Sequence, residues 1–167
     1  NEVPINFYKL MTHFLIGINI NFLEKVHNII FIRNPIEVIA SYSKVISSPN
    51  IQDIGIKKQY ELYNYLNRKK IPVLILDSKY LLENPELILN KLCDKLDIPF
   101  DRNMLNWPKG PKKEDGCWAI YWYSNVHDST KFNMYKTTNI NLKGNYKNLA
   151  DHAKVYYDFL SSKSIKI

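Results

Sequence analysis

The sequence predicts an α/β fold with a parallel sheet, because short apolar runs alternate with segments of helical periodicity. Residues 29–32 and 73–76 are unbroken apolar runs of strand length. Such runs are typical of strands that are covered on both faces, as in parallel sheets. Each run is followed by a segment with helix-start residues and a helical apolar face. The 167 residues suffice for one domain with a sizeable core.

At the N-terminal end, residues 3–8 are predicted to form a short strand with Pro4 at its edge. The segment that follows carries apolar residues at helical spacing, which predicts an amphipathic helix. These residues are Met11, Phe14, Leu15, Ile18 and Phe22.

The first apolar run leads directly into a second predicted helix, whose start is specified by three residues. Asn34 is a favourable N-cap, and Pro35 falls at the first helical position, where its missing N–H costs nothing. Glu37 stands at the third helical position and completes a variant of the capping box. The helix is therefore predicted to begin at Pro35, directly beyond the carboxyl end of the strand.

Arg33 and Ser41 flank this helix start and suggest an anion site. Ligands of open α/β sheets bind at the carboxyl ends of strands, and helix N-termini favour anions. Ser41 lies seven residues beyond Asn34, two turns or about 10 Å along the helix on nearly the same face. A guanidinium and a hydroxyl in this arrangement can hold a phosphate. The alternative is a solvated surface arginine and a helical serine without a role.

Further helices are predicted on both sides of the second strand. One follows Gly55, and another begins at Asn84 and Pro85, which repeat the cap signature of Asn34 and Pro35. Asp77, at the end of the second strand, is expected to cap a helix or turn, and contact with a ligand at the edge of the sheet is the alternative. Residues 146–162 have helical periodicity and predict a terminal helix, with Asn145 as a possible cap.

Composition and charge limit the classes of function. The hydrophobic fraction of 46% and the aromatic fraction of 13% are those of a globular chain. The net charge of +7 attracts polyanions in general. Since no motif of a nucleic-acid module is present, no nucleic-acid partner is expected. Two cysteines and four histidines form no metal-ligand pattern, so no metal is predicted.

No apolar run reaches the length of a membrane span and no signal peptide is visible, which predicts a cytoplasmic protein without a transmembrane segment.

The segment Ile-Arg-Asn-Pro-x-x-x-x-x-Ser-Tyr, residues 32–42, resembles the 3′-phosphate-binding segment of the P-loop sulfotransferases. These enzymes use 3′-phosphoadenosine 5′-phosphosulfate (PAPS) as the sulfuryl donor. A second stretch, residues 97–132, resembles a branch of this family that includes the plant branched-chain aminotransferase-like proteins. It contains a Gly/Lys loop, Asp115-Gly116-x-Trp118-Ala119 and His127-x-Ser129-Thr130. The resemblance implies that Arg33 and Ser41 bind the donor, and it leaves His127, Ser129 and Thr130 as candidates for a polar pocket edge.

The resemblance also implies a fold and two catalytic residues. The fold is a three-layer P-loop NTPase-like domain over residues 1–167, expected to lack the family's first strand and its phosphate loop. The family places a Lys and a His after the strand that precedes the Arg-containing strand. Lys9 and His13 match these positions, with Lys9 supplying charge and His13 acting as general base. Leu10 stands where the branch has Asp.

The implied function is transfer of a sulfuryl group from PAPS to a hydroxyl or amine of a small-molecule or glycan acceptor. Whether this chain alone is active stays open, because it contains no phosphate loop. The alternative is a non-catalytic nucleotide-binding or scaffold domain of the same fold. A third possibility, a basic interaction module, is supported by net charge alone.

Overall fold

The computed structural model describes residues 5–12, 15, 17–117, 119–137 and 139–167, without the side chain of Trp122. Within these ranges the chain has an α/β fold built on two strands, β1 (Asn28–Ile32) and β2 (Val73–Asp77). The strands pair in parallel, with Ile30 opposite Ile75 and Ile32 opposite Asp77. The predicted parallel arrangement of the two apolar runs is confirmed.

Helices precede and follow β2. Between the strands lie α1 (Pro35–Tyr42), α2 (Ile51–Ile54) and α3 (Ile56–Arg68). After β2 come α4 (Ser78–Glu83), α5 (Pro85–Leu96), α6 (Ala119–Trp122), α7 (Ser124–His127) and α8 (Asn145–Ser162). The 3-10 helix Asn21–Lys25 precedes β1, and the 3-10 helix Arg102–Leu105 follows α5.

Successive strand residues point to opposite faces of the sheet and enter two apolar clusters. On one face, Ile30, Ile32 and Ile75 pack with residues of α3 and α8; this first cluster also contains Leu15, Ile56, Leu62, Ala153 and Leu160. On the other face, Leu76 packs with residues of α4 and α5; this second cluster also contains Leu81, Ile88, Leu92 and Ile165. An apolar cluster therefore lies on each face of the sheet, while Phe31 of β1 remains 50% exposed.

The predicted helix starts at Asn34 and Asn84 are confirmed, and the start of the last helix differs in its N-cap residue. Asn34 caps α1 by accepting a hydrogen bond from the Ile36 amide at 3.0 Å, and Asn84 caps α5 through the Leu87 amide at 3.2 Å. Asp77 caps α4 through the Lys79 amide at 3.0 Å. The final helix is capped by Gly144, in a positive-φ conformation, rather than by Asn145.

The N-terminal segment differs from its prediction. In the described part, residues 5–8 form no strand and 17–20 form no helix. Gly17 adopts a φ of +70°, which interrupts helical backbone. The apolar side chains of this segment, including Phe7 at 82% exposure, lie largely in solvent. An amphipathic helix gains most of its stability by burying its apolar face, and most of this face remains exposed.

Candidate anion-binding site

Arg33 lies at the edge of the sheet where the two strands end together. Ile32 and Asp77 form the last pair of the ladder, so Arg33 follows at the carboxyl edge of β1. Its side chain is 51% exposed and stands two residues before the start of α1. The local sequence explains this position, because Asn34 and Pro35 end the strand and begin the helix at once.

Glu37 holds the guanidinium of Arg33. Arg33 Nε donates to Glu37 Oε2 at 2.8 Å, and the Glu37 side chain is only 13% exposed. The predicted capping-box role of Glu37 is replaced by this ion pair. The bond uses Nε, and the two terminal amino groups of Arg33 make no hydrogen bond to any residue that the structure describes. These two groups are therefore available as hydrogen-bond donors.

Tyr135 completes this arrangement, and it was missed by sequence reasoning. Its hydroxyl donates to Glu37 Oε1 at 3.1 Å, across 98 positions of the chain. Burial, and then the negative charge of Glu37, raise the pKa of Tyr135 above its ordinary value. The hydroxyl therefore stays protonated at neutral pH and acts as the donor. No periodicity or motif in the sequence links Tyr135 to α1.

Ser41 lies in the last turn of α1 and is exposed. The helix α1 is continuous from Pro35 to Tyr42. Ser41 therefore lies two turns along the helix from Asn34, as the sequence predicts. Its hydroxyl makes no hydrogen bond to a described residue, which leaves it available to a ligand.

Of the two predicted catalytic residues, Lys9 alone is among the described residues. Lys9 is exposed, and its Nζ stands 5.5 Å from the ring centroid of Tyr123 in a cation–π contact. The Tyr123 ring in turn lies 6.0 Å from the ring of His127. Across the described ranges, Lys9 makes no ion pair or hydrogen bond with the residues around Arg33. His13 lies outside the described residues.

His127 and Asp115 form a second polar pair, close to Lys9. His127 Nε2 lies 2.8 Å from Asp115 Oδ2, and the same oxygen accepts from the Lys112 amide at 2.8 Å. The Lys112 hydrogen bond, and then the one from His127, lower the pKa of Asp115. Because an ionised carboxylate can only accept, Nε2 of His127 is the donor in this contact. His127 was a candidate from the sequence, but its partner was not.

Ser129, another candidate, is used structurally. Trp107 Nε1 donates to Ser129 Oγ at 3.0 Å, and Ser129 donates to the Val126 carbonyl at 2.8 Å. Trp107 also packs edge-on against Phe132 at 5.2 Å, which ties this loop to the second cluster. Both bonds of Ser129 therefore stabilise the loop.

Within the described ranges, no three His, Cys, Asp or Glu side chains are grouped closely enough to hold a metal ion. No helix found there combines the length and the apolar character needed to cross a membrane.

Comparison with known proteins identifies the family. A sulfotransferase domain model matches residues 4–163. Branched-chain-amino-acid aminotransferase-like protein 1 of Arabidopsis thaliana is 33% identical over 148 residues, which are 89% of this chain and 26% of that protein. Branched-chain-amino-acid aminotransferase-like protein 2 of the same plant is 36% identical over 118 residues, 71% of this chain and 21% of that protein.

The chain thus spans about a quarter of the length of these relatives. No solved structure matches it. The family match covers almost the whole sequence, including the Arg33 site and the His127 loop. The chain therefore belongs to the sulfotransferase domain family.

Proposed function

We propose that this chain is the domain of a PAPS-dependent sulfotransferase. It transfers a sulfuryl group from PAPS to a hydroxyl or amine of a small-molecule or glycan acceptor. We further propose that residues 1–167 form one domain of the three-layer P-loop type. The observation that carries the proposal is Arg33, half-exposed at the carboxyl edge of β1, with its terminal amino groups unbonded within the described structure.

The residues at this edge suit the 3′-phosphate of the donor. A phosphate dianion accepts charge-assisted hydrogen bonds from the terminal amino groups of Arg33. The N-terminus of α1 adds a favourable dipole, and Ser41 offers a hydroxyl further along the helix. Glu37 is the one nearby carboxylate of α1, and its two oxygens accept from Arg33 and Tyr135. Its charge is thus partly neutralised before a phosphate arrives.

Transfer needs an acceptor oxygen or nitrogen to attack sulfur while the bond from sulfur to the 5′-phosphate oxygen breaks. Adenosine 3′,5′-bisphosphate leaves with the electron pair of that bond. We assign His13 as the base that takes the proton of the acceptor. We assign Lys9 to the same end of the site, where its positive charge stabilises the negative charge that develops during transfer. Sulfuryl transfer by this route requires no metal.

Calorimetric titration of adenosine 3′,5′-bisphosphate into the chain and into Arg33→Ala tests the donor site. A charge-assisted phosphate contact contributes about 1.5–3 kcal/mol, so its loss should weaken binding at least tenfold. Ser41→Ala should also weaken binding, by a smaller factor than Arg33→Ala. Arg68→Ala is the matched control, since Arg68 is exposed at the end of α3, and should leave the affinity unchanged.

Equal affinity of Arg33→Ala and the unaltered chain would disprove the donor site. Transfer of labelled sulfate from PAPS to an acceptor library then tests the reaction. Binding through Arg33 with no transfer to any acceptor would favour the alternative of a non-catalytic nucleotide-binding domain.

A further inference from the structure

We propose that Tyr135 is a positioning residue for the donor phosphate, acting on Arg33 through Glu37. The inference rests on the proposed function, because it names what holds the phosphate-binding cation in place. Its basis is the continuous set of contacts from the Tyr135 hydroxyl to Glu37 Oε1, at 3.1 Å, and from Glu37 Oε2 to Arg33 Nε, at 2.8 Å.

An ion pair between Arg33 and Glu37 alone would be weakly ordered. The two residues stand four positions apart at the start of a helix, and the Arg33 side chain is half-exposed. Exposed pairs of this kind are screened by water and lose side-chain entropy when they form. A second donor on the carboxylate changes this, because Glu37 then has both oxygens committed and one orientation is favoured.

Tyr135 is itself held by contacts outside the site. Its backbone amide donates to the carbonyl of Leu82, in α4, at 3.3 Å. Three residues earlier, Phe132 packs against the second apolar cluster. The segment that carries Tyr135 is therefore held by α4 and the second cluster, which both lie next to β2. Through its hydroxyl, Tyr135 links this segment to Glu37 at the proposed phosphate-binding end of β1.

The consequence for binding is preorganisation. With Nε engaged by Glu37, the plane of the guanidinium is set and its terminal amino groups remain for the anion. Less side-chain freedom is then lost when the phosphate binds, which raises the affinity for it. Tyr135 itself need not touch the nucleotide.

The test compares Tyr135→Phe with the unaltered chain for two ligands, adenosine 3′,5′-bisphosphate and adenosine 5′-phosphate. Removing one hydrogen bond of ordinary strength should weaken bisphosphate binding by roughly threefold to tenfold. Binding of adenosine 5′-phosphate, which lacks the 3′-phosphate, should be unchanged. In an Arg33→Ala background, Tyr135→Phe should have no further effect, because the two residues act in series.

Tyr65→Phe is the matched control. The Tyr65 hydroxyl donates to Glu24 at 2.8 Å, and Glu24 also pairs with Lys69 at 3.3 Å, so a tyrosine, a glutamate and a cationic side chain also meet away from the site. This variant should leave both affinities unchanged. The inference would be overturned if Tyr135→Phe weakened the binding of both nucleotides equally. It would also be overturned if Tyr135→Phe lowered the bisphosphate affinity by the same factor in the Arg33→Ala background.

A second measurement separates this inference from the proposed function. The chain has three arginines, so its Nε–H spectrum contains three signals, which Arg→Ala variants assign. Hydrogen exchange of the Arg33 Nε–H should quicken severalfold in Tyr135→Phe, and an unchanged rate would refute the positioning role. If the chain shows no preference for the bisphosphate, the donor site fails, while this exchange rate still reports whether Tyr135 orders Arg33.

Discussion

The carboxyl ends of β1 and β2 lie side by side, but the charged residue at one end is exposed and the charged residue at the other is buried. Ile32 and Asp77 are paired in the ladder, and each strand is followed by a capped helix. Asp77 is fully buried and accepts hydrogen bonds from Tyr157, Ser161 and the Lys79 amide. Arg33 is half-exposed and uses only Nε within the described structure.

The difference shows how one sheet edge can carry both a structural and a binding charge. A buried carboxylate is tolerated only when its oxygens accept hydrogen bonds, and Asp77, which is fully buried, is not accessible to a ligand. A half-exposed guanidinium keeps its hydration, so it can leave donors free at little cost. The end of β2 therefore stabilises the fold, and the end of β1 is where we propose that an anion binds.

The largest expected effect is on stability, from Asp77→Ala. The substitution leaves the hydroxyls of Tyr157 and Ser161 without their acceptor and removes the cap of α4. We expect the free energy of unfolding to fall by about 3 kcal/mol or more, measured by urea denaturation. Asp101→Ala is the control, because Asp101 caps a short helix from an exposed position. Equal losses in the two variants would mean that Asp77 has no special structural role.

A smaller loss is expected for Tyr157→Phe. It removes one hydrogen bond to the Asp77 carboxylate, at 2.8 Å, and should cost about 1.5 kcal/mol at neutral pH. Tyr156→Phe, a neighbouring substitution on α8, should cost less in the same urea titration. Tyr156 makes aromatic contacts, and its hydroxyl makes no hydrogen bond to a residue that the structure describes.

Tyr157→Phe should also change how the stability of the chain depends on pH. Burial, and then Asp77, raise the pKa of Tyr157 above its ordinary value near 10. The folded state then holds this proton more tightly than the unfolded state, so the stabilisation is complete below about pH 10 and is lost as the pH rises beyond it. The unaltered chain should lose stability more steeply above that pH than Tyr157→Phe. Parallel alkaline profiles would contradict the assignment.

A still smaller effect on stability is expected for Arg33→Ala. Arg33 is half-exposed, while Glu37 is only 13% exposed and keeps the hydrogen bond from Tyr135, so the free energy of unfolding should fall by about 1 kcal/mol in urea denaturation. Arg102→Ala, which breaks a more exposed pair with Glu86 at 3.0 Å, should cost less. A small loss of stability together with a tenfold loss of nucleotide affinity would show that Arg33 serves binding and contributes little to the stability of the fold. A loss as large as that of Asp77→Ala would show that both strand ends are structural.

Much of this edge could be predicted from the sequence, because its signals are local. The apolar runs, Asn34 with Pro35, and Asn84 with Pro85 each act within one or two helical turns, where backbone sterics and capping decide the conformation. The N-terminal segment could not be predicted in this way. Its apolar periodicity indicates a helix, but Gly17 and the lack of a covering surface decide otherwise in the described residues.

The sequence by itself determined the two parallel strands, the helix starts and the position of Arg33 at a strand end. Only the tertiary structure decided the partners of the charged groups. Tyr135 meets Glu37 across 98 positions, and Tyr157 meets Asp77 across 80. Such contacts depend on how separate elements pack, and no periodicity along the chain encodes them. For the same reason Asp77 is buried and fully engaged in hydrogen bonds, whereas Arg33 is half-exposed, because burial and available partners are properties of the folded molecule.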